Sequence, residues 1–259
     1  MRVLDLFSGI GGFSLGLHEA GMETVGFCEM DPFCQKVLKK HWPNVPIHAD
    51  IKELDGHEYR GAAQLVCGGF PCQPYSVAGQ QRGAEDDRAL WPEMLRVIRE
   101  VQPTWVIGEN VTGIVAMELD TVLSDLEGEG YSCQTFVIPA CAVDAPHKRD
   151  RCWLISYNDV ADTNGYGIQG GKVKRSDGEN RPRSSHEQPS GCSRSAIRLR
   201  NAKRETFWEP EPGMGRVAHG VPDRTHRLKG LGNAVVPSVV AEIGRVIMHF
   251  HENGIDPRG

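Results

Sequence analysis

Short apolar runs alternate with amphipathic stretches through the first 157 residues of the chain. An apolar run at 3–7 is followed by Phe13, Leu17 and Ala20, whose spacing indicates a helix that stops at Gly21. Further strand-like runs lie at 24–28, 46–48, 64–67, 104–107, 134–138 and 152–155, and helical patterns at 32–41, 90–101 and 114–127. This alternation predicts an α/β fold, with a mostly parallel sheet and helices on both faces.

The alternation stops after residue 157. Residues 158–206 contain few apolar positions and are rich in Gly, Pro, Ser and Asn, which favours a loop-rich or disordered stretch. Regular patterning resumes near residue 207, and the spacing of Val240, Ile243, Ile247 and Phe250 predicts a helix over 237–251. We therefore divide the chain into residues 1–157, 158–229 and 230–259.

Charge is distributed unevenly along the chain of 259 residues. The total of 29 Lys and Arg against 34 Asp and Glu gives a net charge of −5, which argues against coating nucleic acid by bulk charge. By segment, 13 basic against 22 acidic residues give −9 for 1–157, 14 against 9 give +5 for 158–229, and 2 against 3 give −1 for 230–259. A local basic region therefore follows an acidic one.

Several classes of protein are disfavoured by the termini and the cysteines. The start of the chain lacks the basic and apolar regions of a signal peptide, and no run reaches the roughly 20 apolar residues of a membrane span. None of the 8 cysteines is spaced as C-x-x-C, so we expect no structural zinc. We expect a cytoplasmic protein that binds neither membrane nor metal.

A glycine-rich turn, FSGIGG at 7–12, lies between the first predicted strand and the first predicted helix. Glycines in such a turn let a ligand approach the backbone near a helix N-terminus. Glu29 ends the next strand, 20 residues after Gly9, where it can bind ribose hydroxyls, and Asp50 follows the third strand-like run. The pattern predicts a nucleoside-containing cofactor, and both NAD and S-adenosylmethionine remain possible. Glycines with a purely conformational role are the alternative.

Three further segments carry reactive side chains. Cys72 follows Pro71 in a turn after a strand, and Glu109 ends another strand, where partial burial raises a carboxyl pKa towards neutrality. Arg149 and Arg151 would point to one face of a strand and suit carbonyl or phosphate groups. The alternatives are a buried structural thiol, a capping acid and a solvated basic edge.

Together these segments resemble the cytosine-5 DNA methyltransferase family, in the family's own order. The resemblance rests on DLFSGIGG at 5–12, CEMD at 28–31, DI at 50–51, GFPCQ at 69–73, ENV at 109–111, HKRDR at 147–151 and RLKGLGNAVVP at 227–237. His147 stands where the family usually has Gln. Residues 158–206 match no motif and fall where the family keeps its variable target-recognition region.

The resemblance implies a Rossmann-like S-adenosylmethionine-dependent methyltransferase fold with a small irregular target-recognition lobe at 158–229. It implies an enzyme that transfers a methyl group from S-adenosylmethionine to C5 of a flipped-out cytosine in double-stranded DNA, through a covalent Cys–C6 intermediate. We expect a compact, monomeric enzyme of the bacterial or phage type, as found in restriction-modification systems.

The resemblance also implies roles for individual residues. The catalytic residues would be Cys72, Glu109, Arg149 and Arg151. The cofactor would be held by Asp5, Phe7, Gly9, Gly11, Glu29, Met30, Asp50, Ile51, Pro71 and Asn233. The residues that contact DNA would be Gln73, Ser76, Arg88, Arg181, Arg183, Arg198 and Arg200.

The residues present argue against three rival functions. RNA methyltransferases of the NOP/Sun type place the nucleophile in a different motif, and the tRNA-modifying relatives carry a Cys-Phe-Thr segment that this chain lacks. A catalytically dead DNA-binding protein would have lost its reactive residues, whereas Cys72, Glu109, Arg149 and Arg151 are all present. A nicotinamide-dependent oxidoreductase is supported only by the first turn and Glu29.

Overall fold

The computed structural model describes residues 1–71, 90–158 and 230–257, which contain seven strands and five complete α-helices. The strands are β1 (Arg2–Leu6), β2 (Glu23–Cys28), β3 (Ile47–His48), β4 (Leu65–Gly68), β5 (Trp105–Val111), β6 (Ser132–Ile138) and β7 (Arg151–Tyr157). The helices are α1 (Gly12–Glu19), α2 (Pro32–His41), α3 (Trp91–Val101), α4 (Leu119–Gly128) and α5 (Pro237–Asn253). The predicted alternation of strands and helices is confirmed.

All seven strands form one sheet in the order β3-β2-β1-β4-β5-β7-β6. The first five strands are parallel, and β7 runs antiparallel to both of its neighbours. The chain steps outward from β1 to β3 in one direction and from β4 onward in the other, so the order reverses between β1 and β4. Open α/β sheets bind ligands at the carboxyl ends of the strands beside such a reversal. The site is therefore expected at the loops after β1 and β4.

Two apolar cores lie on opposite faces of the sheet, as the sequence predicted. Because neighbouring residues of a strand face opposite sides, Leu4 packs into one core and Val3 into the other. The first core is completed by residues of α3 and α4, such as Met94, Ile98, Val122 and Leu126. The second is completed by residues of α1 and α5, such as Phe13, Leu17, Val240, Ile243 and Ile247.

Glycines allow α1 and α5 to pack closely. A Cβ atom on Gly16 would overlap the carbonyl oxygen of Pro237 and lie 2.7 Å from Cβ of Val240. On the facing helix, a Cβ atom on Gly244 would lie 2.7 Å from Cβ of Ala20. Real Cβ atoms do not approach other heavy atoms this closely, so both positions require glycine. The C-terminal helix thereby sits directly beside the helix that begins at the glycine-rich turn.

Replacing Gly16 with alanine should destabilise the protein, although alanine is the better helix former. The added methyl group would force α5 away from α1, and overpacking of this kind costs about 1–3 kcal/mol. Urea unfolding measures the loss. Gly128→Ala is the matched control, because no heavy atom lies within 4 Å of the added Cβ, and its stability should stay at or slightly above that of the wild type. Equal stability of Gly16→Ala and the wild type would contradict the close packing.

One predicted helix was wrong in part. The pattern over 114–127 predicted a single helix, but the structure has a short 3₁₀ helix at Thr112–Ala116, followed by α4 from Leu119. The backbone departs from helical geometry at Glu118, whose φ is −137°. Gly113 and the β-branched residues around it are weak helix formers, so the apolar spacing extends over a segment in which the α-helix does not form.

The C-terminal helix has the composition of a membrane span. Among the described residues, Gly230–Asn253 is long and apolar enough on average to cross a membrane, which corrects the expectation that no run in the chain is long enough. Glu242 and Arg245 interrupt the apolar run, but its mean hydropathy stays within the range of membrane spans. Val239, Val240, Ile243 and Ile247 of α5 are buried against the sheet and α1, and core helices commonly have this composition.

Candidate functional site

The turn after β1 has an unusual backbone. Phe7, Gly9 and Gly11 all have positive φ, at 52°, 55° and 88°. For an aromatic residue this conformation costs about 1–3 kcal/mol, and such strain concentrates at ligand sites. A Cβ atom on Gly9 would meet no heavy atom within 4 Å, so the space in front of this residue is open. The turn therefore presents bare backbone to an open space at the carboxyl end of β1.

Glu29 lies beside this turn, at the end of β2. One carboxylate oxygen accepts a hydrogen bond from the backbone N–H of Gly9 at 2.7 Å, and the other accepts one from Asp31 at 2.7 Å. Each oxygen keeps a second lone pair for a ligand hydroxyl. Asp31 in turn caps α2 by accepting from the N–H of Phe33. Glu29 thus lies at the end of the second strand, as predicted, and its carboxylate is held in a fixed orientation.

The next acid, Asp50, is exposed after the short strand β3. One of its carboxylate oxygens accepts from the N–H of Lys52 at 2.9 Å, which closes a tight turn. Ile51 is buried in the core beneath it, and Met30 is 75% exposed. The structure therefore brings Glu29, Met30 and Asp50 to the same edge of the sheet as the glycine-rich turn.

Asp5 occupies a different environment from the other predicted cofactor residues. It faces α1 from the middle of the sheet, is fully buried, and accepts from the Ser14 hydroxyl at 2.7 Å. Burial raises the pKa of Asp5 to about 7, against the lowering effect of the Ser14 hydrogen bond. A fully buried side chain does not reach the open space, so Asp5 can act on a cofactor only indirectly, by supporting the turn from below.

Glu109, near the end of β5, lies at the carboxyl end of the sheet and is only 8% exposed. One of its oxygens lies 2.9 Å from Nε of Arg151. Burial raises the pKa of the Glu109 carboxyl above its usual value, and the charges of Arg151 and Arg149 only partly offset this. A buried carboxyl with a raised pKa is suited to donate a proton near neutrality.

The chain that leads to Cys72 passes beside Glu109. A Cβ atom on Gly69 would lie 3.0 Å from the second carboxylate oxygen of Glu109, so glycine permits this approach. The side-chain amide of Asn110 donates to the carbonyl of Phe70 at 3.0 Å. Pro71 ends this described stretch, and Cys72 itself lies outside the described residues. β5 therefore holds the backbone of the segment that precedes Cys72.

The expectation that Arg149 and Arg151 share one face of a strand is wrong. β7 begins only at Arg151, and Arg149 precedes it with a φ of 39°. Its guanidinium donates to the carbonyls of Gly232 and Ala234 at 2.8 and 2.9 Å. These carbonyls flank Asn233, which is exposed. Arg149 thus fixes the segment that carries Asn233.

Other predicted residues lie outside the described residues, and the structure gives no position for them. They are Cys72, Gln73, Ser76, Arg88, Arg181, Arg183, Arg198 and Arg200.

Two contributors to the site were missed. Asn110 was noticed only as part of the ENV motif, and its contact with Phe70 joins residues 40 positions apart. Ser14 holds Asp5 from within α1. The one sequence signal for Ser14 is its place as a polar residue on the apolar face of the first predicted helix. No local pattern in the sequence indicates the Asn110 contact.

One group of metal-binding residue types occurs in the described part of the chain. Ligand atoms of Asp55, His57 and Glu100 lie within 4.8 Å of one another. Asp55 and His57 are exposed and hydrogen-bonded to each other, and both Glu100 oxygens already accept from Arg96. These groups satisfy one another without an ion.

Known proteins resemble this chain in sequence and in fold. A family model described as C-5 cytosine-specific DNA methylase matches residues 1–206. The type II methyltransferase M.HgiCII of Herpetosiphon aurantiacus is 35% identical over 159 residues, which cover 60% of this chain and 36% of the relative. The type II methyltransferase M.Eco47II of Escherichia coli is 36% identical over 169 residues, covering 62% of this chain and 40% of the relative.

Among solved structures, a putative DNA modification methyltransferase encoded within a prophage of E. coli has a TM-score of 0.53 and 26% identity, covering 62% of this chain and 48% of that one. The Dnmt2 methyltransferase of S. pombe has the same TM-score at 23% identity, covering 68% of this chain and 59% of that one, and supports the fold alone. The match to each of the two curated relatives spans about two fifths of its length.

Proposed function

Because the chain belongs to the family of C-5 cytosine-specific DNA methylases, we propose that it transfers a methyl group from S-adenosylmethionine to C5 of cytosine in DNA. The observation that carries this proposal is the position of Glu109. A buried carboxyl with a raised pKa, paired with Arg151, lies against the backbone of Gly69, three residues before a cysteine. Cytosine-5 methylation needs this combination of an acid and a nucleophile.

The residues at the carboxyl ends of β1 to β3 fit S-adenosylmethionine. Open space in front of Gly9 admits a ligand to bare backbone, and Glu29 is oriented with lone pairs free for ribose hydroxyls. In our proposal Phe7 packs on the adenine and Asp50 accepts from its amine. Gly11, Met30, Ile51, Pro71 and Asn233 complete the site, and Asp5 supports it from below. When bound, this cofactor supplies an electrophilic methyl group.

The reaction proposed for these residues begins with the Cys72 thiolate. The thiolate adds to C6 of the cytosine, which breaks the C5–C6 double bond and makes C5 nucleophilic. Glu109 gives its proton to N3 as charge develops there, and Arg151 binds O2 of the base. C5 then takes the methyl group, and S-adenosylhomocysteine is the leaving group. Loss of the C5 proton to water and departure of the Cys72 thiolate from C6 restore the C5–C6 double bond, and N3 returns its proton to the Glu109 carboxylate, which leaves neutral 5-methylcytosine.

Arg149 has a positioning part in this scheme rather than a direct one. It holds the carbonyls on either side of Asn233, so it fixes a segment beside the cofactor rather than the base. We therefore propose that Arg149 is a positioning residue that supports the site, and not a catalytic residue.

Double-stranded DNA is the proposed substrate, and its cytosine must leave the helix to reach Cys72, at a cost of a few kcal/mol. We propose residues 158–229 as the target-recognition region, because they carry the net charge of +5 from 14 basic against 9 acidic residues. Arg181, Arg183, Arg198 and Arg200 in this region, with Gln73, Ser76 and Arg88 before it, are the proposed DNA contacts. A monomer acting in the cytoplasm of a bacterial or phage-infected cell fits this function.

Methylation of DNA by the purified protein tests the proposed function. We expect transfer of radiolabelled methyl groups from S-adenosylmethionine to double-stranded DNA, and bisulfite sequencing should then locate 5-methylcytosine in a defined context. No transfer to DNA of mixed sequence, by folded protein that binds the cofactor, would contradict the proposal. Transfer to tRNA in place of DNA would favour the RNA-modifying rival.

A further inference from the structure

All three nitrogens of the Arg96 guanidinium make contacts, although no motif pointed to this residue of α3. Nη2 donates to the carbonyl of Ile51 at 2.6 Å, and Nη1 donates to the carbonyl of Leu54 at 3.0 Å. Nε donates to Glu93 at 2.9 Å and Nη1 also donates to Glu100 at 2.8 Å. Arg96 therefore joins α3 to the backbone of the segment that follows β3.

The two acids hold the guanidinium in one orientation. Glu93 and Glu100 lie on the same side of α3 as Arg96, at spacings of three and four residues. Burial disfavours the charged form of Glu100, but hydrogen bonds from Arg96 and from the N–H of Gly56 keep its pKa below the usual value. A planar guanidinium held in this way donates to two carbonyls in fixed directions, whereas the donors of a lysine ammonium group rotate on a flexible stem.

Glu100 adds a third attachment to the same segment. Its Oε2 atom accepts from the N–H of Gly56 at 2.8 Å, and a Cβ atom on Gly56 would lie 2.8 Å from Cβ of Glu100. The backbone from Ile51 to Gly56 is thus held to α3 at Ile51, Leu54 and Gly56 by two side chains.

The attachment to α3 matters because β3, which precedes the segment, contributes few contacts to the sheet. β3 has only two residues, which pair with Phe27 and Cys28 of β2. Asp50 follows two residues later, exposed, and directly precedes the first carbonyl that Arg96 binds. The position of Asp50 relative to Glu29, which directly follows β2, is therefore set by α3 as well as by the short strand.

We propose that Arg96 is a positioning residue for the adenine end of the cofactor site, acting through the backbone of Ile51 and Leu54. This inference rests on the proposed function, since it assumes that Asp50 and Ile51 bind the adenine. Arg96 does not touch the cofactor or the base. It restricts the turn that begins at Asp50 to one position, so that cofactor binding does not have to order that turn.

Binding and steady-state kinetics of an Arg96→Gln variant test the inference. Loss of charge-assisted hydrogen bonds to the turn should raise the Kd and KM for S-adenosylmethionine about tenfold. The kcat at saturating cofactor should stay near the wild-type value, because Cys72 and Glu109 are unchanged. Calorimetry with 5′-methylthioadenosine, which keeps the adenosine and lacks the amino acid, should show the same rise in Kd. A general structural defect would not produce this separation of KM from kcat.

Arg99→Gln is the matched control. Arg99 lies one turn further along α3 and pairs with Glu129 at 2.7 Å, so this substitution removes an ion pair from the same helix without freeing the Asp50 turn. Its Kd should equal that of the wild type. Arg96→Lys keeps the charge without the planar guanidinium, and we expect it to bind S-adenosylmethionine with a Kd between those of the wild type and Arg96→Gln.

The outcomes separate the inference from the function on which it rests. If the wild-type protein binds S-adenosylmethionine and methylates DNA, but Arg96→Gln binds S-adenosylmethionine with the same Kd, the positioning role alone is overturned. Failure of the wild type to bind S-adenosylmethionine would instead overturn the proposed function. If Arg96→Gln does not fold, Arg96→Lys decides, and an unchanged KM for that variant would overturn the inference.

Discussion

Replacing Cys72 with serine is expected to abolish methyl transfer and to leave cofactor binding nearly unchanged. A serine hydroxyl is almost un-ionised near neutral pH, so it would not add to C6 as a thiolate does. Without that addition, C5 of cytosine is too weak a nucleophile to take the methyl group. Transfer of radiolabelled methyl groups to DNA measures the first effect. Calorimetry with S-adenosylmethionine measures the second.

The covalent step can be isolated from turnover with DNA that contains 5-fluorocytosine. Fluorine cannot leave C5 as a proton does, so the wild-type protein should remain attached to such DNA through Cys72, and Cys72→Ser should not. Cys141→Ser is the matched control, because Cys141 is an exposed free cysteine. That variant should keep both transfer and adduct. Full activity of Cys72→Ser, or an active wild type that forms no adduct, would contradict attack at C6.

The sheet could be predicted because each strand carries its own local signal. β1 and β5 are buried on both faces along most of their length, and β2 is buried over its second half, so most of their residues are apolar, as in a parallel sheet. The helix predicted over 32–41 is also determined locally, because Pro32 lies in its first turn and Asp31 caps it in the structure. The helix predicted over 114–127 failed because apolar spacing does not show where a weak helix former changes the backbone.

Positions of functional residues were predictable where a residue ends a parallel strand. Glu29 and Glu109 reach the carboxyl edge of the sheet by topology alone, and the glycine-rich turn lies beside Glu29 for the same reason. The placement of Arg149 on a strand was wrong because two basic residues with alternating spacing look like a strand. In the structure Arg149 has a positive φ, and its side chain donates to the carbonyls of Gly232 and Ala234. These carbonyls lie more than 80 residues away in the sequence.

Asp5 is a second residue whose surroundings could not be predicted from its sequence motif. A carboxylate within a glycine-rich motif suggested contact with a ligand, but alternation along β1 turns its side chain towards α1, where Ser14 holds it. Arg96 was missed because its partners, Ile51 and Leu54, are backbone carbonyls that any sequence supplies. Contacts to main-chain atoms leave no pattern in the partner segment, so only the three-dimensional arrangement identifies them.

Replacing Glu109 with glutamine is expected to lower the rate of methyl transfer by about 10²- to 10⁴-fold, the usual contribution of a positioned acid. Glutamine has nearly the same shape and can still accept from Arg151, but it has no proton to give to N3 of cytosine. Affinity for S-adenosylmethionine should be unchanged, because Glu109 is on β5 and β4 separates it from β1, which leads into the glycine-rich turn. Single-turnover methylation at saturating DNA and cofactor measures the loss in the chemical step.

The pH dependence of the wild type gives the same residue a second test. Burial raises the pKa of Glu109, so its protonated form persists to higher pH than that of an ordinary glutamate and is lost as the pH rises through the raised value. The rate should therefore fall on the alkaline side of that pKa, and Glu109→Gln should lack this fall. Glu129→Gln, which removes the partly buried partner of the exposed Arg99, should keep both the rate and the profile of the wild type. A wild-type profile in Glu109→Gln would mean that another group protonates N3, and the buried Glu109–Arg151 pair would then only position the base.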